Sequence, residues 1–75
     1  MPTFRIRLTN KDFAASEELE APTPEAARTN ALKGALQIGT DEICAGKMFF
    51  GAEVCIECDG ETERLLVAIG ASPLT

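Results

Sequence analysis

The chain has 75 residues, 45 % of them hydrophobic, and a net charge of −5 with no His, Trp or Tyr. That length bounds it to one domain whose core supplies only about 3–5 kcal/mol, while its apolar content places it outside the disordered class. Acidity, and a scatter of basic residues at Arg5, Arg7, Lys11, Arg28, Lys33, Lys47 and Arg64, argue against nucleic-acid and anionic membrane partners, which are held by neutralising phosphates.

Residues Thr3 to Leu8 alternate. Phe4, Ile6 and Leu8 share one face and Arg5 and Arg7 the other, which predicts a half-buried strand. Thr9-Asn10-Lys11-Asp12 has turn chemistry. Phe13 to Ala21 alternates more weakly, with Phe13, Ala15, Leu19 and Ala21 on one parity, Glu18 and Glu20 on the other, and Glu17 on the inner one. This predicts a second strand, antiparallel to the first and at a sheet edge, where an inward charge discourages further pairing.

Thr23-Pro24-Glu25 predicts a helix start. Thr23 caps, Pro24 takes the first helical position where its missing N–H costs nothing, and Glu25 meets the positive end of the helix dipole. The helix is expected over Pro24 to Ile38, with Ala27, Ala31, Leu32, Ala35, Leu36 and Ile38 on one broad face and Gly39 as its stop. Thr40 to Gly46 then reads as a short second helical turn, or as a continuation that tolerates Gly39 at a cost of about 1 kcal/mol. Phe49 to Cys58 is a third strand, with Val54, Ile56 and Cys58 on one parity, and Cys58-Asp59-Gly60-Glu61 carries a hairpin signal. Leu65 to Ile69 is apolar on both parities, so a fourth strand covered on both faces or central in the sheet is expected. Residues 70–75 form a short tail.

Two hairpins joined by a helix make a two-layer α+β sandwich, β-β-α-β-β, with one helix on a four-stranded sheet. A right-handed crossover would set the first and last strands side by side in the order 2-1-4-3, as in β-grasp folds. The acidic segments 13–21 and 52–58 would then lie at the edges, where charge discourages pairing.

No convergent catalytic set is legible. The absence of His removes the usual general base and the commonest metal ligand, and no Gly-rich loop opens a helix in phosphate-binding spacing. Cys55-x-x-Cys58 lies in a predicted strand, where residues three apart point to opposite faces, so these thiols would not converge. Adding Cys44 gives three thiols, and a structural zinc site takes four ligands. An odd number of Cys without framework spacing suits reduced thiols and a cytoplasmic location. No signal peptide or membrane span is visible. The carboxylates at Glu17-Glu18-Glu20, Asp41-Glu42 and Glu57-Asp59-Glu61-Glu63 read first as solvated edges and a hairpin tip. The Asp59-x-Glu61-x-Glu63 spacing leaves cation or small-ligand binding as the alternative. Arg5 and Arg7 could pair across strands with Glu18 and Glu20.

Met48-Phe49-Phe50 is a strong apolar cluster, half of it expected in the core and the rest at the end of the sheet. Leu66 and Ala68 would face away from the helix and be wet unless another subunit covers them. Met48, Phe49, Phe50, Leu66 and Ala68 are therefore the candidate contact surface, and a homodimer is the expected assembly.

The run Ala21-Pro22-Thr23-Pro24-Glu25-Ala26-Ala27-Arg28, with Ala31-Leu32, Asp41-Glu42-Ile43 and Glu53-Val54-Cys55-Ile56-Glu57-Cys58-Asp59-Gly60, resembles a family of short uncharacterised proteins from rhizobia and related alphaproteobacteria that carry a domain of unknown function. The likeness runs from Phe4 to Ile69. Thr9-Asn10-Lys11-Asp12 stands where members usually have an Asp-Gly turn, and their first strand is usually more aromatic. The family has no established activity, so the resemblance implies no catalytic, cofactor or metal residues. The expectation is a non-enzymatic, cytoplasmic protein–protein interaction module, without cofactor or metal, whose partner is another protein or a second copy.

Overall fold

A computed structural model describes residues 1–74; the last residue of the expected tail, Thr75, lies outside them. The elements are β1 (Thr3–Thr9), β2 (Ala14–Glu20), α1 (Pro24–Cys44), β3 (Phe49–Cys58) and β4 (Glu61–Gly70). Alternation in β1 becomes a strand with Phe4, Ile6 and Leu8 buried and Arg5 and Arg7 outside. Asn10 turns the chain into β2 by an Asx turn, its Oδ1 accepting from the N–H of Asp12 (2.8 Å) and of Phe13 (3.0 Å). β2 pairs antiparallel with β1 and forms an edge, as the sequence predicts. The second hairpin closes at Asp59 and Gly60, both at positive φ (52° and 81°), with Cys58 opposite Glu61.

The fold is α+β, with α1 packed on a four-stranded antiparallel sheet. The strand order is β2-β1-β3-β4, not the expected 2-1-4-3. The second hairpin is turned over, so β3 rather than β4 lies beside β1, with Ile6 opposite Ile56. Both orders keep each hairpin and the direction of every strand. They differ in whether β1 gains an antiparallel or a parallel neighbour, and antiparallel pairing is slightly the more stable.

Acidity misplaced β3. Its Glu57 and Glu53 mark no edge: Glu57 takes an ion pair from Arg7 of β1 (2.8 Å), and Glu53 takes one from Arg64 of β4 (2.6 Å). Its other parity buries Phe50, Ala52, Val54 and Ile56. β4, the most apolar segment, is the outer strand instead, and Leu66 is 80 % exposed. Arg5 lies opposite Glu18 in the ladder, but Arg7 reaches toward β3 rather than to Glu18 or Glu20.

The helix begins as predicted. Thr23 Oγ1 accepts from the Ala26 N–H at 3.1 Å, and Pro24 opens the first turn. It does not stop at Gly39 but runs unbroken to Cys44. Lys47 N–H then donates to the Glu42 carbonyl and Gly46 N–H to the Ile43 carbonyl, a Schellman closure. The buried stripe is Ala27, Ala31, Ala35 and Gly39, narrower than the face expected. Leu36 and Ile38 lie on its flanks, 46 % and 36 % exposed. Gly39 continues the helix because its missing side chain lets the backbone settle on the sheet. A Cβ there would stand 2.5 Å from Ile69 Cδ1 and 2.8 Å from Phe50 Cδ2.

Gly39→Val should therefore lower the unfolding free energy by about 1–3 kcal/mol in urea denaturation, the range for overpacked sites. Gly34→Ala, where a Cβ meets nothing within 4 Å, should raise it by about 1 kcal/mol through helix propensity. Similar effects at the two positions would contradict the close approach at Gly39.

Candidate functional site

The face of the sheet opposite α1 is uncovered, and the ladder places its side chains in rows. One row runs Glu18, Arg5, Glu57, Thr62, and the next runs Ser16, Arg7, Cys55, Arg64. Signs alternate from strand to strand, acidic on β2 and β3 and basic on β1 and β4, and Arg7–Glu57 and Arg64–Glu53 close as ion pairs, so the middle of this face is not a single-sign patch. Such exposed pairs are screened by water and stabilise little. Cys55 sits at its centre, buried beneath the Arg7 guanidinium, whose Nη2 lies 3.8 Å from Sγ.

Beyond the Glu53–Arg64 pair the face turns apolar. Gly51 stands opposite Ala68 and Phe49 opposite Gly70. The Phe49 ring lies along the sheet over Gly51, where a Cβ would come within 2.9 Å of Cε2. Met48 and Phe49 are 53 % and 65 % exposed, and with Leu66 they border an open groove of about 810 Å³. Its far wall is the β1–β2 turn at Lys11 and Asp12. Lys47 ties that turn to the helix end, with Nζ 3.7 Å from Asp12 and 3.4 Å from Glu42.

The structure thus brings together four of the five expected contact residues: Met48, Phe49, Leu66 and Ala68. Phe50 does not belong with them. It is 3 % exposed, because alternate residues of β3 face opposite sides and its ring packs beneath α1 near Gly39. Gly51 escaped the sequence reading, since its role appears only once the Phe49 ring is seen to lie on it.

Cys55 and Cys58 do face opposite sides. All three thiols are free, with Cys44 exposed and Cys58 half-buried. Partial burial pushes the Cys58 thiol above its usual range, and the carboxylates of Asp59 and then Glu61 push it the same way. Both effects oppose the thiolate that redox or metal chemistry uses.

The acidic hairpin lines a second open cleft, of about 520 Å³, between Asp59, Glu61 and the first turn of α1. Glu63 is held there by Arg28, whose Nε donates to both carboxylate oxygens at 3.0 and 3.1 Å. Among the described residues no three acidic or thiol side chains converge to hold a metal ion, and no helix is long and apolar enough to cross a membrane.

No known protein family matches the chain, and neither a curated protein nor a solved structure matches it.

Alkylation of the native protein by iodoacetamide at mildly alkaline pH, followed by mass spectrometry, should modify Cys44 first, Cys58 more slowly and Cys55 last. Asp59→Asn should speed the reaction of Cys58 by removing the nearest negative charge. Early modification of Cys55 would contradict its burial beneath Arg7.

Proposed function

We propose that this chain is a small, non-enzymatic protein–protein interaction module that acts in a reducing cytoplasm and associates with a second copy of itself. The observation that carries the reading is the apolar end of the open sheet face. There Phe49 is 65 % and Leu66 80 % exposed, both bordering one groove and on the face away from the only helix among the described residues. A domain this small rarely leaves such groups wet without a partner to cover them. The charges beside the patch support contact rather than catalysis, since Arg7 and Arg64 are committed to Glu57 and Glu53 and Cys55 lies beneath Arg7. The free thiols, and the resemblance to short bacterial proteins, fit a cytoplasmic module.

A second reading takes a small cationic ligand at the cleft beside Asp59 and Glu61. The cleft and its carboxylates favour it; the commitment of Glu63 to Arg28 weighs against it. Titration with calcium, magnesium or a polyamine, followed by amide NMR, decides the point. Shifts confined to 59–63 would support a ligand site, and none would end the idea.

For the leading reading, light scattering across the micromolar range should show an average mass rising above the 8.0 kDa of one chain. Phe49→Ser should weaken the association about tenfold, the equivalent of about 1.4 kcal/mol. A mass of 8.0 kDa held into the high micromolar range would overturn self-association.

A further inference from the structure

The two free edges of the sheet are unlike. β2 has seven residues, with Glu18 and Glu20 on the open face and Glu17 opposite Ile6, on the inner side. Those charges obstruct a further strand. β4 has ten residues, and its second half, Leu65-Leu66-Val67-Ala68-Ile69, carries no charge, no Pro and no bulge in its pairing with β3. An edge of this kind is a template for another extended chain.

We infer that two copies of this chain join antiparallel through β4, about a two-fold axis at Val67, so that two four-stranded sheets become one of eight strands. This rests on the self-association proposed above and specifies its geometry.

The segment 65–69 is self-complementary about its centre. In an antiparallel pair centred on Val67, Leu65 meets Ile69 and Val67 meets Val67 on the helix side, while Leu66 meets Ala68 on the open face. Every contact in the seam is apolar. No like charges are opposed: Glu63 falls opposite Ala71 and Arg64 opposite Gly70. Because Gly70 offers no side chain, Arg64 of one copy comes beside the Phe49 ring of the other, an arrangement suited to a cation–π contact.

The position of α1 agrees with the same seam. The helix packs on β3 and β4, touches β1 less, and so sits over the half of the sheet nearest this edge. Strands lie about 4.8 Å apart, so two helices each centred over a β3–β4 pair would stand about 10 Å apart across the joined edges. That is the distance at which helices pack side by side. The flank they would present is apolar. Arg28 reaches Glu63 on β4, and Leu32 and Leu36 follow it at spacings of four, with Leu36 46 % exposed. A second copy therefore supplies a strand for the β4 edge, a match for Leu66 and Ala68, and a neighbour for Leu36.

The test mixes isotope-labelled and unlabelled protein and records isotope-filtered NOEs, which report only contacts between copies. Cross-peaks between the Leu66 and Ala68 methyl groups are expected. Leu66→Lys and Leu36→Lys change exposed side chains and should leave the circular dichroism unchanged. Each is repeated by the symmetry and should weaken the dimer at least about tenfold. A dimer that lacks these cross-peaks, or that tolerates Leu66→Lys, overturns the β4 seam while leaving self-association standing. A chain that light scattering shows as a monomer into the high micromolar range overturns both.

Discussion

The approach of the α1 backbone to the sheet is the constraint on which the rest depends. The helix presents Ala27, Ala31, Ala35 and Gly39 to the core, so it contributes little volume of its own. The bulk comes from Phe4, Ile6 and Leu8 of β1 and from Phe50, Val54 and Ile56 of β3. A stripe that small lies close, and it lies narrow. A helix is about 10 Å across and strands are about 4.8 Å apart, so one helix covers about two strands. Here those are β3 and β4. β2 is left outside the cover, and its sequence accommodates that on the helix side with the small Ala15 and the charged Glu17.

The uncovered face of the sheet follows from having one helix, and its two halves meet the exposure differently. Around Cys55 the side chains satisfy one another as ion pairs that water can also reach, so that half stands alone. Around Phe49 nothing polar compensates. Gly51 allows the ring to lie flat on the sheet, which hides part of it, and Leu66 is left standing out. A chain with so small a core has little stability to set against such exposure, and the proposed second copy would remove it. The exposed apolar patch is thus a consequence of how the core is built rather than a feature added to it.

Much of this was legible in the sequence because the signals were local. Strict alternation places β1, the Thr23-Pro24 cap places the start of α1, and Asp59-Gly60 places the second turn, because each depends on residues that touch one another. Strand order is not local. Apolar content on both parities pointed to Leu65–Ile69 as a central strand. The same pattern occurs here in an outer strand with one parity exposed. Acidity in β3 pointed to an edge, whereas Glu53 and Glu57 match Arg64 and Arg7, which lie distant in sequence. Gly39 read as a stop because a glycine that ends a helix and one that admits a neighbouring Phe and Ile are the same letter. The exposure of Met48, Phe49, Leu66 and Ala68 was legible from hydrophobicity and position alone. Phe50 was misassigned because its side of the sheet depends on a register that hydrophobicity does not specify.

In the proposed assembly the β4 edge of this sheet is covered by a second copy and the β2 edge is not. Amide hydrogen exchange, followed residue by residue at low and at high micromolar concentration, tests it most directly. Alternate amides within 65–69 should exchange readily in the dilute protein and gain protection as concentration rises, while those of β2 stay unchanged. Protection of 65–69 that ignores concentration, or a gain that appears on β2 instead, would contradict the account.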